Sequence, residues 1–160
     1  MQASKTASSP TGTSRTRTGR WSGCGQVYHI VTAVRDRRPV CADFSCARAV
    51  IASLRRQDRD SNARTLAFVV MPDHLHWLMQ LGTRRPLASV VRQVKCESAL
   101  RINGIMAAAG PVWQRGYYDR AIRANEDLPS IARYIVANPL RDGLVRQIGD
   151  YPHWDACWLN

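Results

Sequence analysis

Acidic side chains are scarce in this sequence: 12 Asp and Glu face 23 Lys and Arg in 160 residues, a net charge of +11. With so few carboxylates, and those scattered, a two-carboxylate hydrolytic site is not expected. Lysine is rarer still, Lys5 and Lys95 only, so 21 of the 23 cations are arginine, whose planar fork suits phosphate. No apolar run approaches the roughly 18 residues a membrane-spanning helix requires, so no membrane partner is expected. The N-terminus has no hydrophobic stretch of the secretory type, so a cytoplasmic protein is expected. The patterns HExxH, HxHxDH, GxSxG and the P-loop are all missing, which removes the corresponding zinc protease, hydrolase and NTPase chemistries. There is no CxxC. The five cysteines (24, 41, 46, 96 and 157) follow no regular spacing, as free thiols in a reducing compartment would.

What is present is enough apolar residue, 45%, for one globular domain with a real core. Residues 1–20 are the exception, being rich in Ser, Thr and Gly and carrying Lys5, Arg15, Arg17 and Arg20 without an acid. They read as a disordered basic arm, either a solvated tail or an extra hold on nucleic acid. The domain at 21–160 stays basic without them, nineteen cations against twelve acids, or +7. A polyanion, most simply nucleic acid, is the expected partner.

Hydrophobic periodicity predicts strands over 27–34, 64–71, 74–81 and 112–122, the last bulged at Gly116. It predicts helices from an Asp43 cap to 57, over 86–105, and from an Asn125 cap to 138, where Pro139 limits the last one. The order β-α-β-β-α-β-α matches a ferredoxin-like antiparallel sheet of α+β class, helices on one face, with one appended C-terminal helix.

His74 and His76 are two apart on a strand, so both imidazoles leave the same face while Leu75 enters the core. Such a pair is either a surface pair or two ligands of a divalent metal lacking a third. Tyr134 and Asn138 are four apart, which on a helix places them on one face: half-buried packing and a helix stop, or a phenol beside an amide oxygen. Arg115, Arg120 and Arg123 could follow a DNA backbone or form a solvated strand edge. Trp113 could stack on bases, whereas Trp77 falls on the apolar face.

Three segments in register carry a resemblance. They are Val69-Val70-Met71-Pro72-Asp73-His74-Leu75-His76-Trp77, then Trp113-Gln114-Arg115-Gly116-Tyr117-Tyr118-Asp119-Arg120-Ala121-Ile122-Arg123, then Tyr134-Ile135 with Asn138-Pro139 and Gly143-Leu144-Val145. Together, over about residues 26–158, they resemble the REP-associated tyrosine transposases of the single-tyrosine HUH superfamily. The resemblance implies a ferredoxin-like domain that nicks and rejoins single-stranded DNA hairpins of repetitive extragenic palindromes, reading a short flanking guide sequence, as a monomer or homodimer. It implies His74 and His76 as the pair binding Mg²⁺ or Mn²⁺, Asn138 as third ligand (some relatives carry Gln there), and Tyr134 as the nucleophile forming a 5′-phosphotyrosine. Two other readings stand beside it: a catalytically idle, domesticated hairpin-binding protein, and a metal-dependent phosphodiesterase acting through the histidine pair alone.

Overall fold

The computed structural model describes residues 23–158; the basic arm at 1–20 lies outside them. Five antiparallel strands form one sheet in the order β4-β1-β3-β2-β5. These are β1 (Val27–Ala33), β2 (Ala63–Val70), β3 (His74–Leu81), β4 (Tyr118–Ala121) and β5 (Trp154–Ala156). Helices α1 (Phe44–Arg59) and α2 (Leu87–Met106) cover one face of the sheet, and α3 (Leu128–Val136) covers part of the other. A short α4 (Asn138–Arg141) follows α3 directly. This is the expected α+β class.

Strand β3 is the middle of the sheet, paired with β1 on one side and β2 on the other. Its odd residues Leu75, Trp77, Met79 and Leu81 join the core under α1 and α2, with Ile30, Val50, Leu54, Val90 and Val94. The Trp77 indole N–H is satisfied by the Thr65 hydroxyl at 3.0 Å, so a polar atom enters that core at little cost. Leu78, on the opposite face, packs with Ala67, Val69, Ala132 and Ile135. The appended helix therefore lies on the face that also carries His74 and His76. Helix α1 starts at the expected cap, with the Asp43 carboxylate accepting the Cys46 N–H at 2.9 Å. Between β3 and α2 the chain passes so close to the 61–62 turn that a Cβ on Gly82 would stand 2.3 Å from the Ser61 carbonyl oxygen, so only glycine fits.

Three expectations are corrected. The fourth strand is confined to Tyr118–Ala121 rather than 112–122. Gly116 turns left-handed at φ +72°, and the Lys95 ammonium takes the Gln114 and Gly116 carbonyls at 2.7 Å each, groups a ladder would need. Only an isolated bridge between Val34 and Trp113 remains of the upstream part. The last helix is capped by Asp127, which accepts the Ser130 N–H at 3.2 Å, not by Asn125. The intervening Glu126 closes the preceding turn by accepting the Arg123 N–H at 2.7 Å. Helix α3 then ends at Val136, and Asn138 opens α4 instead of sharing a helix with Tyr134.

Ile135 is fully buried and holds α3 to the sheet. Ile135→Ala is expected to lower stability by about 2–5 kcal/mol in urea unfolding, the cost of a buried aliphatic deletion. A loss under about 0.5 kcal/mol, the range of a surface substitution, would contradict this docking.

Candidate functional site

Alternation on β3 sends His74 and His76 out of the face opposite α1 and α2, both half-buried. Their Nε2 atoms converge to 3.1 Å. The Asp73 carboxylate, which can only accept, takes the Nδ1–H of His74 at 2.6 Å and so leaves the His74 Nε2 lone pair pointing at His76. On the far side, His76 Nδ1 lies 3.1 Å from Nε2 of His29 on β1, and the two rings stack 22° from parallel. The result is a hydrogen-bonded chain, Asp73–His74–His76–His29, laid across two strands.

Electrostatics keep two members of this chain, His76 and His29, uncharged. His76 titrates at about 3, pushed down first by burial and then by His74, His29, Arg141 and Arg37. His29 is lowered to about 4 by burial and by Arg120. Both are neutral imidazoles at physiological pH, the form that donates a lone pair to a metal.

The donor set suits a divalent cation. Two nitrogens 3.1 Å apart match adjacent positions at right angles around an ion with bonds of about 2.1 Å. Asp73 and His29 occupy the rear nitrogens as outer partners of liganding histidines do. Among the described residues no group of three or more His, Cys, Asp or Glu side chains is arranged to hold a metal. Asn138 offers an oxygen. Its amide N–H donates to the Ile135 carbonyl at 2.7 Å, which leaves the side-chain oxygen as the accepting end.

Tyr134 sits on the outer side of α3, 66% exposed. The Arg141 guanidinium, carried by α4, lies over its ring, 4.0 Å from the centroid. The charge of Arg141 also helps hold the His76 imidazole neutral. The two other tyrosines of interest differ in exposure at the start of β4. Tyr117 packs against the core, and Tyr118 is 56% exposed on the histidine face, in register with Val31, itself the partner of His76.

The expected DNA contacts fare differently. Arg115 and Arg123 are exposed, while Arg120 is paired with Glu126 at 2.6 Å. Trp113 is 6% exposed, with its indole N–H on the Ser98 hydroxyl at 3.0 Å, so its ring belongs to the core and not to a stacking surface. His29, Asp73, Arg37 and Arg141 went unassigned in the sequence. Of these, only Asp73, adjacent to the pair, could have been found from spacing. The others reach the site through strand register and the α3–α4 bend.

The family model "Transposase IS200 like" matches residues 24–138. An Escherichia coli K12 protein named "REP-associated tyrosine transposase" is 27% identical over 134 residues, covering 80% of this chain and 74% of that protein. A Haemophilus influenzae protein named "Putative REP-associated tyrosine transposase" is 31% identical over 106 residues; the match covers 56% of this chain and only 56% of that protein's length. Among solved structures, a REP-associated tyrosine transposase bound to a REP hairpin superposes with a TM-score of 0.67 at 24% identity, over 87% of this chain and 81% of that one. At that identity the likeness speaks for the fold.

Two measurements follow from this geometry. In metal-free protein held in EDTA, ring NMR shifts of His29 and His76 should stay constant from pH 8 to about 5.5 and titrate only near about 4 and about 3. Because both folded values lie below the unfolded one, their contribution to stability is present above about pH 6.5 and is lost as pH falls through the folded values. Midpoints near 6.5 would contradict the buried chain. Trp113→Phe should lower stability by about 1–3 kcal/mol through the lost hydrogen bond and ring volume. It should leave single-stranded DNA affinity unchanged; a binding loss of about 1–3 kcal/mol would instead mark a stacking surface.

Proposed function

The chain belongs to the IS200-like transposase family, and from that premise we propose that it nicks and rejoins single-stranded DNA at REP-type hairpins through a covalent 5′-phosphotyrosine on Tyr134. The observation that carries this reading is the placement of an exposed phenol, on α3, beside the sheet face where two imidazole Nε2 atoms converge. The relatives named for REP-associated activity, and the solved relative bound to a REP hairpin, support the choice of substrate.

The chemistry is a transesterification. Tyr134 Oη attacks the scissile phosphorus; the Oη–P bond forms as the P–O3′ bond breaks. The phenolic proton passes to solvent, and the departing oxygen takes a proton to become a 3′-OH. One phosphodiester replaces another, so the reverse attack by a 3′-OH rejoins DNA without a nucleotide cofactor. His74, His76 and the Asn138 oxygen would hold a divalent cation, which supplies Lewis-acid polarisation of the phosphate and offsets its developing charge. Imidazole ligands favour Mn²⁺ over the harder Mg²⁺. Asp73 and His29 orient the two imidazoles. Exposed Arg115 and Arg123, with the arm at 1–20, add backbone contacts that weaken with salt.

The test uses the full chain, Mn²⁺ and a 3′-labelled REP-type hairpin oligonucleotide on a denaturing gel. Wild type should retain label in a protein band; EDTA or a His74→Ala/His76→Ala double substitution should remove it. Tyr134→Phe, which keeps the ring, should bind the hairpin and form no adduct. A wild-type protein that binds hairpin without ever trapping label would overturn the proposal in favour of the idle binding protein. Adduct surviving EDTA would remove the metal role.

A further inference from the structure

Three guanidinium groups bear on the imidazole chain: Arg37 and Arg141 on His76, and Arg120 on His29. Two of them are compensated. Arg37 faces the Asp73 carboxylate at 3.5 Å, and Arg120 the Glu126 carboxylate at 2.6 Å. Arg141 is different. Among the described residues no carboxylate lies within 4.0 Å of its guanidinium, and its partner is the face of the Tyr134 ring. A guanidinium next to a carboxylate is already satisfied, whereas one lying on an aromatic face keeps most of its N–H donors for another acceptor.

The position is informative too. The guanidinium carbon stands 4.0 Å from the centroid of the ring that carries Oη. A phosphorus bonded to Oη carries its non-bridging oxygens into hydrogen-bond reach of such a fork. The short α4 presents this side chain because Asn138 and Pro139 restart the chain just after α3, which brings residue 141 back over residue 134.

We propose that Arg141 is a catalytic residue of the strand-transfer step, its guanidinium donating to a non-bridging oxygen of the phosphate that Tyr134 attacks and then to the same group in the phosphotyrosine. This rests on the reading of Tyr134 as the nucleophile. In attack and reversal alike, the bonds made and broken are those of the transesterification. Arg141 transfers no proton; it stabilises charge accumulating on the phosphate oxygens and, through the ring contact, holds Oη in line. Lysine could supply charge there but not the planar fork, and leucine could supply packing on the ring but neither charge nor donor.

The experiment measures single-turnover adduct formation on saturating 3′-labelled REP-type hairpin with Mn²⁺, alongside hairpin Kd and Tm. Arg141→Ala and Arg141→Leu should both slow the covalent step by about 10²–10³-fold, the usual effect of removing one transition-state donor, with Kd and Tm close to wild type. Arg141→Lys should recover part of the rate. Leucine restoring the wild-type rate would show that only ring packing matters, and alanine reacting at the wild-type rate would show no role; either overturns the proposal. Slowing in the variants that follows lost Tm or lost binding would also overturn it, in favour of a structural role. Wild type itself failing to form an adduct would be a different result, the failure of the Tyr134 reading.

Discussion

Strand β3 is bound on both edges, by β1 and β2, and its odd side chains are sealed in the core beneath α1 and α2. That constraint decides the direction of everything functional here. A one-residue slip of β3 would put His74 and His76 into the core and expose Trp77, so register is strongly specified by burial. The same register sets His76 beside His29 and lets Asp73, in the turn before β3, reach the rear of His74. The imidazole pair is thus rigid because its strand is central, and α3 can dock nearby only because Leu78 continues the same face as an apolar surface.

The site combines strong local cationic character with two neutral imidazoles, His29 and His76. Burial, the neighbouring imidazoles and nearby arginines keep His76 unprotonated, and burial with Arg120 does the same for His29, so positive charge comes from guanidinium groups at the edge and not from these two rings. Such an environment attracts phosphate and leaves imidazole lone pairs for a cation. Carboxylates, the usual competitors for both arginine and metal, are few and already committed: Asp73 to His74 and Arg37, Glu126 to Arg120 and the Arg123 N–H. The scarcity of acids in the sequence therefore has a local consequence at the candidate site.

Where a feature depends on nearby residues, it was legible in the sequence. The bounds of β3, the Asp43 cap, and the common face of His74 and His76 all follow from periods of two or 3.6. The misses each involve a distant partner or a competing neighbour. The stretch from Val112 reads as strand, but Lys95 on α2 takes its carbonyls and Ser98 takes the Trp113 indole. Asp127 caps α3 because Glu126 already closes the preceding turn. His29 is unremarkable until β1 pairs with β3, and Arg141 until the chain bends at Ala137. Strand β5, three residues paired with the edge of β2, is too short for periodicity to register.

In the proposed reaction one phosphate is shared by the histidine face and Tyr134, and the position of the covalent bond tests this most directly. Trypsin cleaves after Arg133 and Arg141, so the peptide at 134–141 carries a single tyrosine, while Tyr117 and Tyr118 leave in the peptide at 116–120. Wild-type protein reacted with a REP-type hairpin and Mn²⁺, then digested with nuclease and trypsin, should show the nucleotide mass increment on 134–141 by mass spectrometry. The increment on 116–120 instead would contradict the account, placing the chemistry on the exposed Tyr118 of the same sheet face.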